Sequence, residues 1–493
     1  MSSPAQKSVA THSVRYVTAN MLGIVAGFIS FPIMTRLLDT TQYGIFGYFD
    51  AWLALLIAVS KLGGQHSIIR FYPHTRTSSA LSGYAANFIL APFLASCALW
   101  ILTAAVYACV LYAVPSTRAD AWIGWLILFS LPLNVWISYV GGVLLAQEHS
   151  DISAKVTVAQ RWLEAALILA LVYFVQRSAL SVYIARLVIV VFFGWALWSW
   201  LRKRIPLSLR DFQRSEFSRG MHYGLPLVVN EIVHVLLAFL DRFMLLQMLK
   251  DFAIVGAYTI GYGLALAITR ILNTAITAAY TQVSVREFET LGPIAVVRTK
   301  KNILDFLVYF SAAIIVGLVV VGGDVLMIFA GNDKRASIPV FVVVSVSYVL
   351  DGMIGICSTG LLLHKRSKTE LGLTACALVV NVALNLLWIP QFGLMGAVYA
   401  TFLSYLALGI SRYFFCPPEL RALPSLYPTC MATALAALAY GTAMYTNLLG
   451  ASSHLGRLGV MVAMTIVLLV LPALALDAKL RGSLKKYLRR NAS

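Results

Sequence analysis

The sequence predicts an all-α polytopic membrane protein with about 14 transmembrane helices, arranged as two pseudo-symmetric six-helix lobes around a central cavity plus two C-terminal helices. Three observations carry this reading. The chain of 493 residues is 60% hydrophobic and only 12% charged, with a mean hydropathy of +0.82, whereas a soluble domain carries roughly 25% charged residues. Apolar segments of membrane-spanning length recur along the chain, one per helix-plus-loop unit of about 35 residues. The third observation is the placement of Lys and Arg. Counted with the loop that adjoins each span, 27 fall on one side, 7 on the other and 4 inside spans. Basic loops mark the cytoplasmic face, and one missed span would swap every later loop and erase the bias.

The spans fall near 15–37, 43–63, 84–113, 121–146, 153–175, 179–201, 221–248, 253–282, 302–330, 337–363, 370–389, 393–415, 426–449 and 456–476. An even number puts both termini on one side, the cytoplasmic one. The first apolar segment is full length and lacks a small-residue cleavage site, so it reads as a retained span. The longest polar interval, about 202–220, is too short for a soluble catalytic domain. The net charge of +18 fits cytoplasmic loops against an anionic leaflet rather than nucleic acid. The tail Lys485-Lys486-Tyr487-Leu488-Arg489-Arg490 reads as an anchor to anionic membrane lipids. Trp122, Trp200 and Trp388 stand where an interfacial aromatic belt belongs.

No chemistry-bearing motif suggests an enzyme. The six cysteines lie in or beside apolar spans without metal spacing, which predicts buried free thiols. No metal and no cofactor are expected. The absence of a P-loop argues against ATP as the direct energy source. No HExxH, GxSxG or DxD-type pair stands at a membrane face.

The two halves look alike. A hairpin turns at Leu37–Gly44, and a similar one at Leu249–Gly256, with Gly44 and Gly256 offset by 212 residues. The turn near Val175–Ser181 precedes that near Ile389–Gly396 by 214 or 215. Two hairpins at nearly one offset suggest a duplicated six-helix unit of parallel topology, whose interface is where a transporter places substrate. The expected divisions are an N-lobe 1–201, a basic linker 202–220, a C-lobe 221–416, and two further spans with the tail in 417–493.

A charge at mid-membrane costs about 2.5–3.5 kcal/mol on insertion scales, so it implies a cavity or a buried partner. Arg161 and Glu164 share a face of span five, and Arg186 lies in span six. Span seven holds Glu231 and His234, then Asp241-Arg242. Asp50 lies in span two, Arg270 in span eight and Asp351 in span ten. Internal salt bridges explain Arg161–Glu164 and Asp241–Arg242 as readily as function does, whereas Arg270 has no acidic residue within a helical turn. Basic groups in a water-filled cavity would hold a phosphate or diphosphate. Asp50, Glu164, Glu231, His234, Asp241 and Asp351 could pair with them or bind a coupling proton or sodium ion. Pro32, Gly224 and Pro226 bend their helices, either as static kinks or as hinges for alternating access. The stretch Asn381–Thr401 reads as a membrane hairpin broken at Ile389-Pro390-Gln391-Phe392-Gly393. Asn381 and Asn385 share a face there and fit hydrogen bonding within the bundle better than ligand contact.

Several stretches together resemble the polysaccharide transporters of the MOP superfamily, which include the oligosaccharide repeat-unit flippases. They are Phe31-Pro32-Ile33-Met34-Thr35-Arg36-Leu37-Leu38 with Gln42-Tyr43-Gly44, Ile68-Ile69-Arg70-Phe71-Tyr72, and Tyr223-Gly224-Leu225-Pro226. Asp241-Arg242-Phe243-Met244, Val255-Gly256-Ala257-Tyr258 and the Asn381–Thr401 hairpin complete the set, which runs from about residue 15 to 415. The resemblance implies movement of undecaprenyl-diphosphate-linked glycan, for O-antigen or exopolysaccharide, across the bacterial inner membrane by alternating access. Its partners would include a glycan polymerase and a chain-length regulator. It implies cavity cations for the diphosphate, with Arg15, Lys61, Arg70, Arg161, Arg186 and Arg270 as candidates by span and depth. The alternatives are an ion-coupled drug/cation antiporter of the same superfamily, which needs an acidic cavity, and a membrane glycan polymerase or ligase, which needs a large outer loop absent here.

Overall fold

Every long apolar segment forms a helix in the computed structural model of the chain, which is 90% helical. It describes the backbone of residues 4–73, 77–113, 120–357, 359–445, 453–477 and 481–482, and the side chains of these apart from 4–20, 150 and 270–279. Among the described residues there is no strand. Twelve helices among the described residues are long and apolar enough to cross a membrane. The apolar part of α1, Met21–Leu37, and the small-residue helix α16, Leu426–Tyr445, bring the total to the fourteen spans expected. Large apolar side chains such as Ile101, Phe174 and Trp195 are exposed, as lipid-facing positions require.

The chain divides into two compact units, Met1–Leu246 with Asp251–Gly256, and Gln247–Lys250 with Ala257–Ser493. In the first, α1 (Pro4–Leu37) leads into α2 (Thr40–Ser60). Asp39 caps α2, its carboxylate accepting from the Gln42 amide at 2.7 Å, which satisfies one of the unpaired first-turn donors. After α2, Leu62 (φ 48°) and Gly63 (φ 75°) are both left-handed and turn the chain into the short α3 (Gly64–Arg70).

Next, α4 (Ser78–Tyr84) runs through a wide helical turn at Ala85–Leu90 into α5 (Ala91–Ala113). The wide turn lies just before Pro92. A proline breaks the regular ladder four residues upstream, and one widened turn absorbs the fault without ending the helix. Helices α6 (Ala121–Ala146), α7 (Ser150–Phe174), α8 (Ala179–Arg202) and α9 (Arg214–Leu249) follow, with the start of α10 (Phe252–Leu291). A core of Ile68, Tyr84, Phe88, Val135, Trp136, Tyr139 and Leu201 joins α3, α4, α6 and α8.

The second unit holds the rest of α10, then α11 (Pro293–Ala330), α12 (Ile338–Cys357), the short α13 (Thr359–Leu363), α14 (Ser367–Phe392) and α15 (Leu394–Phe415). α16 is followed by α17 (His454–Thr465), a wide turn at Ile466–Val470 and α18 (Leu471–Leu476). Pro472 follows this wide turn as Pro92 follows the first. Buried Lys300 donates to the Cys357 and Leu420 carbonyls at 3.1 and 2.7 Å, and Asp305 accepts from the Ser425 amide at 2.6 Å. These bonds tie α11 to the segment between α15 and α16.

Four local readings change. The break expected at Ile389–Gly393 is narrower, because α14 continues through Pro390 to Phe392 and the reversal falls on Gly393 (φ 57°, ψ −129°), a conformation that suits glycine. The interval 202–220 is partly helical, since α9 begins at Arg214. α10 and α11, of 40 and 38 residues, exceed the roughly 20 that a span needs, so a helical hairpin around Gly292 replaces the loop expected at 283–301. The thiols are free as expected, but only Cys357 and Cys416 are buried, Cys97 is half-buried and Cys109, Cys376 and Cys430 are exposed.

Candidate functional site

Most of the expected intramembrane charges that are described gather into ionic clusters, two in the first unit and one around Asp351 in the second. In the first, Arg186 on α8 bridges two helices. Its Nη1 donates to Asp50 Oδ1 on α2 at 2.6 Å, and its Nε to Glu164 Oε1 on α7 at 3.2 Å. The guanidinium lies over the Phe46 ring at 5.2 Å. One arginine against two carboxylates leaves one negative charge in a site whose side chains are 19–30% exposed. Such a cluster can hold three helices in register and can take up a cation.

Glu164 therefore pairs with Arg186 rather than with Arg161, three residues away on its own helix. Arg161 sits near the middle of α7 and is exposed. Among the described residues no carboxylate pairs with it. A guanidinium at that depth with no carboxylate partner among the described residues calls for water rather than lipid.

The second cluster of this unit joins the end of α2 to α9. Lys61 Nζ meets Glu231 Oε1 at 2.5 Å, and Gln65 Nε2 donates to the other oxygen of Glu231 at 3.0 Å. Burial holds the neighbouring His66 imidazole below its usual range, with Glu231 pulling the other way. Gly63 and Gly224 touch backbone to backbone beside it. A Cβ on Gly224 would lie 2.6 Å from the Gly63 carbonyl oxygen. Pro226 follows inside α9 and Pro32 lies inside α1, so both expected kink positions are helical.

Asp241 and Arg242 are buried. The Arg242 guanidinium donates to the Gly47 carbonyl at 3.3 Å and covers the Phe239 ring at 4.7 Å. His234 and Arg70 are exposed. The side chains of Arg15 and Arg270 lie outside the described residues.

In the second unit, Arg412 on α15 bridges Asp351 on α12 and Glu370 on α14. Nη1 donates to Asp351 at 3.3 Å and Nε to Glu370 at 2.9 Å, with Nη2 also on Glu370. Ser347, Tyr405 and Phe402 border this cluster. Glu370 and Arg412 were not among the residues singled out by sequence. They stand 23 residues before and 19 after the Gly393 reversal, and that near-equal spacing across a hairpin is the signal that pairs them. Asn381 and Asn385 are fully buried and bond along α14, Asn385 Nδ2 donating to the Asn381 carbonyl at 2.9 Å.

Comparison with known proteins places this geometry. The lipid II flippase MurJ in an inward closed conformation superposes with a TM-score of 0.74 at 11% identity, covering 94% of this chain and 98% of that one. A multidrug resistance MATE family transporter of the MOP superfamily superposes in its inward-facing form with a TM-score of 0.64 at 15% identity, covering 86% and 98%. Its outward-facing counterpart gives 0.55 at 15% identity, with 86% and 96% covered. The shared architecture is the two-lobed helical fold of these transporters. A search of curated proteins by sequence gave no match. The model of the polysaccharide biosynthesis protein family matches residues 10–281, more than half of the chain. The chain is a multi-span membrane protein that belongs to the polysaccharide biosynthesis protein family.

Proposed function

We propose that this protein is a flippase that moves undecaprenyl-diphosphate-linked oligosaccharide repeat units, of O-antigen or exopolysaccharide type, across the bacterial inner membrane by alternating access. The observation that carries the reading is the likeness to a lipid II flippase over 94% of the chain in a member of a polysaccharide biosynthesis family. The chemistry agrees. Arg161 offers a guanidinium at mid-span that has no carboxylate partner among the described residues, and a guanidinium matches a phosphate bidentately. We assign Arg161 to the diphosphate, together with Arg15, Lys61, Arg70 and Arg270. Arg186 is already neutralised by Asp50 and Glu164 and acts as scaffold.

The movement would use the repeats 1–201 and 221–416 joined by the basic linker 202–220, with 417–493 outside them and Pro32, Gly224 and Pro226 as hinges. Each arginine bridge carries one surplus carboxylate, which supports proton or sodium coupling at Asp50–Glu164 or Asp351–Glu370. A glycan polymerase and a chain-length regulator are the expected partners, and both termini lie in the cytoplasm. The likeness to drug transporters favours a second reading, an ion-coupled exporter of cationic compounds.

A complemented deletion strain separates the two. Arg161→Ala should lose surface glycan while keeping its level in the membrane. Normal surface glycan with Arg161→Ala, or drug sensitivity in the deletion with intact glycan, would refute the flippase reading.

A further inference from the structure

We infer that Glu231 is an internal stand-in for the diphosphate, occupying Lys61 in the unloaded protein until the substrate headgroup displaces it. The inference rests on the flippase reading and adds how the site is regulated. Its basis is that the backbone at Lys61 is fixed in place without help from Glu231. Tyr139 donates to the Lys61 carbonyl at 2.7 Å, and Ser96 donates to the carbonyl of Ser60 at 2.5 Å. The left-handed pair Leu62 and Gly63 and the close seat of Gly63 on Gly224 hold the end of α2 against α9. The backbone that carries the cation is therefore held in place, and the carboxylate partner is the removable member.

Glu231 reaches that position because it stands seven residues, two helical turns, beyond Gly224 and so on the same face of α9. Each of its oxygens takes one donor, Lys61 Nζ at 2.5 Å and Gln65 Nε2 at 3.0 Å. Two donors at that spacing are what a phosphate would also receive, and a more highly charged phosphate competes well with one carboxylate for an ammonium group. Glu231 is also the more accessible partner, 28% exposed against 16% for Lys61. A second observation points to a ligand. The buried Gln65 Oε1 has no donor among the described residues, and buried acceptors are normally satisfied. A hydroxyl of the headgroup or sugar would supply that donor. Displacement would free Glu231 while the Gly63–Gly224 contact keeps the end of α2 seated on α9.

The test is equilibrium binding to the full chain in lipid nanodiscs, with undecaprenyl diphosphate and inorganic pyrophosphate as separate probes. Removing a partly exposed competitor should tighten binding, so Glu231→Gln is expected to bind about fivefold more tightly than wild type. Lys61→Met should bind about tenfold more weakly, and the double variant should match Lys61→Met. Glu231→Asp, which keeps the charge and withdraws it by one methylene, gives the same direction should Glu231→Gln fail to fold. Tightening for both probes, or for the lipid alone, supports displacement by the headgroup. Unchanged or weaker binding in folded Glu231→Gln or Glu231→Asp overturns it. A wild-type protein that binds no undecaprenyl diphosphate overturns the flippase reading itself, which separates the two failures.

Discussion

At the scale of single residues, intramembrane charges are visible in the sequence but their partners are not. Helical periodicity places Arg161 and Glu164 on one face, yet Glu164 is claimed by Arg186 across the α7–α8 hairpin. A guanidinium that also reaches Asp50 satisfies two half-buried carboxylates at once, and no spacing rule along one helix expresses that. Removing one member of such a cluster leaves the others uncompensated, so Arg186→Ala should cost about 3 kcal/mol and lower the thermal unfolding temperature in detergent. Adding Asp50→Asn and Glu164→Gln should recover most of the loss. If the triple variant is no more stable than Arg186→Ala, the bridge is not what holds these helices. Arg161→Ala should leave unfolding within the range of ordinary surface changes, about 0.5 kcal/mol, since Arg161 has no ion-pair partner among the described residues. A large drop in unfolding temperature would assign it to the scaffold instead.

At the scale of elements, hydropathy locates spans well because every backbone donor and acceptor in lipid must be paired within a helix. It is weaker at helix ends. α14 runs past Pro390, which costs one bond of the ladder in the last turn without ending the helix there, and α10 and α11 continue as helices beyond the lengths that a bilayer requires. Small residues at offset 212 had a further meaning that periodicity does not express. Gly44 and Gly256 pack on one another, reciprocally. A Cβ on Gly44 would fall 1.8 Å from the Phe252 carbonyl oxygen, and one on Gly256 would fall 1.8 Å from the Thr40 carbonyl oxygen. Close backbone approach of this kind holds membrane helices together where burial of apolar surface gives no drive. Backbone cannot give way as a side-chain tip can. Gly44→Val or Gly256→Val should therefore destabilise by about 1–3 kcal/mol or more, read as lost monodisperse protein on extraction and a lower unfolding temperature. Wild-type stability in both variants would show that this crossing tolerates separation.

At the scale of the whole molecule, fold class was legible because composition, span count and loop charge all answer to one constraint, the bilayer. Twelve apolar helices plus α1 and α16 reproduce the fourteen spans. Tags at both termini should remain protected from protease in right-side-out vesicles, and an accessible C-terminal tag would refute an even span count with cytoplasmic ends. Function is less legible at this scale, since one two-lobed fold serves lipid flippases and drug exporters alike. The deciding features are the sign of the free charge at mid-span and the substrate that it selects. The most direct measurement is transfer of a fluorescent undecaprenyl-diphosphate-linked oligosaccharide between leaflets of proteoliposomes, followed by a membrane-impermeant quencher. The flippase account predicts that the wild-type protein makes the protected fraction accessible much faster than empty liposomes do and that Arg161→Ala does not. Leaflet exchange no faster than in empty liposomes, with extrusion of a cationic dye by the same vesicles, would contradict it.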